Sequence, residues 1–192
     1  MASTHDYIAD KRNQDILIYI NGEFFHRSDA KVSVFDSGFL LGDGVWEGIR
    51  LHKNSLIHFD QHINRLYAGA DAIAMKIQLN KNELKDAVRL TLEKNAMHSD
   101  THIRLIVSRG IKSTPYQHPK VTIGDPTIVI IPEYKKPNSE VFDIGIRLAS
   151  VKTKRDNMVQ DPKINSLSKM NCISACIAVS YTHLTLPTNR EV

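Results

Sequence analysis

The sequence predicts an α/β fold, and three observations carry that expectation. Apolar runs of strand length alternate along the chain with amphipathic stretches of helical period. Asn21-Gly22 stands between two β-rich runs, the strongest short hairpin signal. A glycine-rich stretch, residues 36–50 (D-S-G-F-L-L-G-D-G-V-W-E-G-I-R), then links the first run to the next. Its glycines Gly38, Gly42 and Gly44 permit backbone geometries that other residues resist. With Leu40 and Leu41 between them, the stretch reads as a loop folded onto a core, and such loops border sites.

The elements follow in order. Residues 16–25 form the first hairpin. Residues 45–51 and 56–59 form a second, turning at Lys53-Asn54. Asp60 is then expected to cap a helix whose inward stripe is Ile63, Leu66, Tyr67, Ala70, Ile73 and Ala74. Asn80 with Glu83 three residues on is a capping-box variant, followed by Leu84, Ala87, Val88, Thr91 and Leu92. Strands at 103–107 and 128–131 complete a small α/β domain, residues 1–133. Residues 134–140 are polar, contain proline and read as an interdomain linker. Beyond it come a strand at 142–151, a polar connection at 152–162 and a helix at 166–180. One strand and one helix are too little to bury a core alone, so this half is expected to need a partner or further chain.

Composition narrows the function classes. A 42% hydrophobic content suits a soluble globular protein. Twenty-five basic against 21 acidic residues leave a net charge of only +4, scattered along the chain. That argues against nucleic acid as a partner and is compatible with a pocket for an anionic ligand. No run approaches membrane-spanning length, and the polar first residues hold no apolar signal core, so a cytoplasmic protein with no membrane contact is expected. Cys172 and Cys176, the two cysteines, are four apart and are expected as buried, reduced thiols on one helix face. The nine histidines are dispersed without ligand spacing, so no metal is expected.

Residues 36–50, then H-I-N-R-L at 62–66 and H-I-R-L-I-V-S-R-G at 102–110, resemble the fold-type IV pyridoxal-phosphate enzymes. These include branched-chain and D-amino-acid aminotransferases and aminodeoxychorismate lyase. The resemblance implies an α+β small domain plus the start of a larger, β-rich domain at 141–180. It implies pyridoxal 5'-phosphate as cofactor, an amino acid and a 2-oxo acid as substrates, and a homodimer when full length. The activity implied is amino-group transfer; a lyase on the same scaffold is the alternative, and a non-catalytic or vestigial small-molecule-binding member is another. Residues 181–192 resemble nothing in the family and read as a non-native tail on a C-terminally truncated chain.

The resemblance also points to residues. Arg65 takes the place of the family's phosphate-binding arginine, and a guanidinium offers a phosphate two parallel donors. Phe39 and Trp46 fall on the substrate side; tryptophan replaces the usual tyrosine and loses its hydroxyl. Arg104 and Arg109 match positions of substrate-binding arginines; five apart on a strand, they are expected to face opposite sides. The chemistry also requires a lysine whose amine bonds to the cofactor aldehyde and then carries a proton at the substrate Cα. Aligned without gaps, that position falls on Asn165, within D-P-K-I-N-S-L-S-K. Lys163 is the first candidate to replace it, two residues earlier on the same face if the segment is extended. Lys169, four residues later, is the second, on the same face if the segment is helical.

Overall fold

A computed structural model describes residues 9–136, 143, 145, 150–154 and 161–182. The chain divides into two compact units. One is Asp6–Pro137 with Ile164–Ser168; the other is Asn138–Lys163 and Lys169–Val192 with Met1–His5.

The first unit is built on a six-stranded antiparallel sheet. Its strands are β1 (Leu17–Ile20), β2 (Glu23–His26), β3 (Gly44–His52), β4 (Ser55–Leu56), β5 (Thr101–Ser108) and β8 (Thr127–Tyr134), in the order β2-β1-β8-β5-β3-β4. A separate ribbon pairs β6 (Ile111–Lys112) with β7 (Thr122–Ile123). Asn21 and Gly22 turn the first hairpin with φ of 48° and 99°, and Lys53 and Asn54 turn the second with φ of 46° and 62°. Positive φ at both turn positions matches the right-handed twist of the flanking strands.

Two helices, α2 (Phe59–Ala72) and α3 (Lys81–Lys94), pack on one face of the sheet. Ile49, Ile103, Leu105 and Ile130 meet Ile63, Leu66, Leu84 and Val88 there, all at 1% exposure or less. Alternate residues of β5 reach this layer, which is the period-two pattern of a sheet with one covered face. The α3 capping box forms as expected: Asn80 Oδ1 accepts from the Glu83 N–H, and Glu83 Oε2 accepts from the Asn80 N–H. The α2 start differs. His58 occupies the cap with φ 49° and no side-chain bond, while Asp60 lies in the first turn and pairs with Lys85 at 2.6 Å. Left-handed backbone at His58 delivers the chain straight from β4 into the helix, so Asp60 arrives too late to cap it.

The glycine-rich stretch contains a short helix, α1 (Ser37–Leu41), capped by Asp36 and ended by Gly42 at φ 67°. Leu41 and Phe39 are exposed, at 39% and 69%, so the expected burial of the apolar pair fails for Leu41. One turn of helix turns these side chains outward, while Asp36 and Ser37 take the inward positions. Gly44 permits close approach: a Cβ there would collide with the Val107 carbonyl oxygen and lie 2.8 Å from Ser108 Cα.

In the second unit the helix α4 runs over Met170–Thr182. It begins four residues later than the sequence suggests, because residues 164–168 belong to the first unit, where Val45 and Ser166 form a β-bridge. Cys172 and Cys176 are both exposed, against the expectation of burial, together with Met170, Ile173 and Ile177. These side chains lie on faces that the described residues leave uncovered. Most of the expected 142–151 strand lies outside the described residues, as do 137–140 of the expected linker and 183–192 of the expected tail.

Candidate functional site

The first unit places its most concentrated polar chemistry where β3 faces α2. Along β3 the inward positions are Val45, Glu47, Ile49 and Leu51, so Glu47 is a carboxylate set in an apolar register. It is fully buried, and burial of an unpaired charge would be prohibitive. Three side chains from α2 and the 164–168 segment compensate it. Arg65 donates through Nε to Oε1 at 2.7 Å and through an Nη to Oε2 at 2.6 Å, a bidentate fork. His62, one turn earlier, donates through Nδ1 to Oε2 at 2.8 Å. Asn165 Nδ2 adds a longer contact to Oε1 at 3.4 Å. Burial alone would raise the Glu47 carboxyl; the bonds from Arg65 and His62 outweigh it and hold it below the usual carboxylate range. The bond to Glu47 raises the Arg65 guanidinium above its ordinary value.

Arg65 is thereby held on one edge and open on the other. Its side chain remains 54% exposed although two of its nitrogens are bonded. A guanidinium with five donors, oriented and still facing solvent, can grip an oxyanion such as a phosphate.

Asn165 is fixed beside it. The Trp46 N–H donates to Asn165 O at 2.8 Å, and the Leu167 N–H donates to Gly44 O at 3.0 Å, so residues 165–167 extend the sheet along the start of β3. Asn165, where the resemblance leads one to expect the Schiff-base lysine, thus meets the Arg65 cluster as a carboxamide, which has no amine to form a Schiff base. Lys163 and Lys169 belong to the other unit. Lys163 lies in a turn, its N–H bonded to Asp161 Oδ1 at 2.9 Å, so it is not on an extended segment leading to Asn165. Lys169 precedes α4 and accepts from the Ile173 N–H through its carbonyl, so it shares no helix with Asn165.

The substrate-side candidates separate. Trp46 points to the opposite face of β3 from Glu47, and there Arg104 stacks on its ring with Cζ 4.4 Å from the centroid. Arg104 is exposed. Arg109 lies beyond the end of β5 and is largely enclosed, at 12% side-chain exposure. It holds Asp43 by two bonds, at 2.7 and 3.0 Å, and donates to the carbonyls of Ile73 and Ala74 at 2.7 and 3.0 Å. Arg109 therefore ties the glycine-rich stretch to the end of α2. Phe39 stands exposed on α1.

Sequence reasoning did not single out Glu47 or His62. The signal for Glu47 was present: an acid in step with Val45, Ile49 and Leu51 must be buried, and a buried acid requires a cation. Among the described residues no group of three or more histidine, cysteine or acidic side chains could hold a metal ion. No helix among them is long and apolar enough to cross a membrane.

A sequence profile of the family described as Amino-transferase class IV matches residues 44–178. A Methanocaldococcus jannaschii protein with the provisional name branched-chain-amino-acid aminotransferase is 39% identical over 165 residues, covering 85% of this chain and 56% of that protein. The D-alanine aminotransferase of Staphylococcus haemolyticus is 28% identical, covering 85% and 57%. The crystal structure of a branched-chain aminotransferase from Thermoproteus uzoniensis superposes with a TM-score of 0.71 at 24% identity, covering 85% of this chain and 56% of that one. The chain spans little more than half the length of these relatives. The match extends over most of the chain and includes both Arg65 and Asn165: the chain belongs to the class IV aminotransferase family.

Proposed function

We propose that the protein serves amino-group transfer between an amino acid, of branched-chain or D-amino-acid type, and a 2-oxo acid, with pyridoxal 5'-phosphate as cofactor. The observation that carries this reading is Arg65, clamped by fully buried Glu47 and open to solvent on its other edge. It fits the phosphate of that cofactor. When bound, pyridoxal phosphate supplies the electron sink that lets a substrate Cα–H bond ionise.

The chain's own residues take the remaining roles. Arg65 binds the phosphate, and Glu47 with His62 fixes the direction of its donors. Trp46 and Phe39 wall the substrate side, and Arg104 meets the substrate carboxylate. Arg104 is better suited than Arg109, whose donors are occupied by Asp43 and two carbonyls. Lys163 or Lys169 carries the cofactor and moves the proton. Residues 141–180 would begin the larger cofactor domain. Exposed Val34, Phe35, Phe39 and Leu41 support assembly as a homodimer, and the cytoplasm is the proposed location.

Asn165 favours a second reading: a member that binds the cofactor or a related phosphate through Arg65 without covalent attachment. Borohydride treatment of the purified protein with pyridoxal phosphate, followed by peptide mass mapping, separates the two. Cofactor mass on the Lys163 or Lys169 peptide is the result expected of the enzyme. No adduct on either lysine, with cofactor binding still abolished by R65Q, would overturn it in favour of the second reading.

A further inference from the structure

His62 and Arg65 converge on one oxygen. An Arg65 Nη and the His62 Nδ1 both donate to Glu47 Oε2, at 2.6 and 2.8 Å, which leaves the two nitrogens 3.4 Å apart. A carboxylate only accepts, so the hydrogen of the neutral ring sits on Nδ1 and the lone pair on Nε2. The two nitrogens lie on different edges of the ring. With Nδ1 aimed at a fully buried carboxylate, Nε2 is aimed away from it, on a side chain that keeps 20% exposure. Nε2 has no hydrogen-bond partner among the described residues and is not sealed from solvent, so it can take a proton.

Charge around the ring is balanced without that proton. From β3 the ring meets Glu47, from α2 Arg65, and from residues 164–168 the uncharged Asn165, which shares Glu47. His58, one turn back on α2, accepts the His62 N–H through its carbonyl at 3.0 Å, while its side chain is exposed. The charges of Glu47 and Arg65 cancel. A protonated His62 therefore leaves a surplus positive charge beside a guanidinium, and Glu47 has no second negative charge to give. An oxyanion on the open edge of Arg65 supplies it, at a range where charges in a partly buried site act strongly on one another.

We infer that the Arg65 site takes up a proton together with its anion, and that His62 is the positioning residue that receives it. The ring holds Glu47 through Nδ1 in either form, and it becomes an imidazolium when an oxyanion binds. This rests on Arg65 as the oxyanion grip proposed above, and it adds the protonation state in which that grip is strongest. The effect is reciprocal: anion favours proton and proton favours anion by the same factor. Glu47 does not compete for the proton above about pH 5. Against the effect of burial, the bonds from Arg65 and His62 hold its carboxyl below the usual carboxylate range, near 4.3.

The test uses sulfate, which keeps its charge between about pH 5.5 and 8, the interval in which imidazole changes its own. Affinity is read at both ends from the backbone amide shifts of α2 by NMR, and the His62 ring is followed alongside. Wild type is expected to bind sulfate at least fivefold more tightly at the acid end. Saturating sulfate is expected to raise the pH at which the His62 ring titrates. R65Q is expected to lose saturable binding at both ends. H62Q offers Glu47 an amide donor but no titrating ring, so its affinity ratio between the two ends is expected to fall below twofold. No sulfate binding, or binding that R65Q does not weaken, overturns this inference together with the reading of Arg65. Binding through Arg65 with a wild-type ratio under fivefold, or a His62 titration that sulfate leaves unmoved, overturns the inference alone. A ratio above twofold in folded H62Q does the same. If H62Q does not fold, the His62 titration of the wild type decides alone.

Discussion

Glu47 is a fully buried carboxylate whose closest partners are one half-exposed arginine and one histidine, with the Asn165 carboxamide at longer range. Breaking a hydrogen-bonded buried charge leaves its partners uncompensated, so E47Q is expected to lower stability by about 2–3 kcal/mol, read from denaturant unfolding. It should also free Arg65 to wander, so cofactor-phosphate affinity is expected to fall with it. The pH dependence follows from linkage. Because the folded carboxyl titrates below the unfolded one, near 4.3, its contribution is complete above that pH and is lost as pH falls through the lower folded value. His102 acts earlier on the pH scale. Its folded value near 4 lies below the unfolded value near 6.5, so between them only the unfolded chain takes up the proton, and stability falls with acidification. H102Q is expected to remove that loss: its melting temperature should vary less between pH 6.5 and 4.5 than that of the wild type. Lys112 is a further buried charge, at 1% exposure, and its Nζ has no hydrogen-bond partner among the described residues. K112M keeps the aliphatic stem and removes the ammonium, so it is expected to raise the melting temperature.

Local rules decided some elements and tertiary context overrode them in others. Asn21-Gly22 and the Asn80/Glu83 box involve residues within three positions of one another, so the sequence shows both directly. N80A is expected to cost about 1 kcal/mol through the lost cap, measurable by thermal unfolding. Asp60 shows the opposite case. It has the chemistry of a cap, but the turn from β4 at His58 starts the helix first, and Asp60 serves Lys85 instead. The start of α4 was misplaced for a similar reason: residues 165–167 have partners on β3 and cannot also form a helical turn. Gly44 ties the glycine-rich stretch to β5 by close approach. G44A is expected to cost on the order of 1–3 kcal/mol by forcing β3 and β5 apart, seen as a lower unfolding midpoint.

Across the molecule, family membership was visible in three short stretches, because glycines, a helical arginine and a strand motif recur in order along the chain. What those residues touch was not visible. Strand register set Glu47 against Arg65, turned Trp46 toward Arg104, and closed Arg109 onto Asp43 and the end of α2. At this scale the homodimer proposal predicts that V34D, placed on an apolar side chain 65% exposed, weakens self-association at least tenfold in sedimentation, while the fold is kept. The sequence by itself determined the alternating elements, the Asn21-Gly22 turn, the Asn80 cap and the family, since periodicity and turn chemistry are local. Only the tertiary structure decided which arginine remains open to a ligand and that Asn165 stands beside Arg65. Both depend on pairings between distant segments, set by strand register and burial.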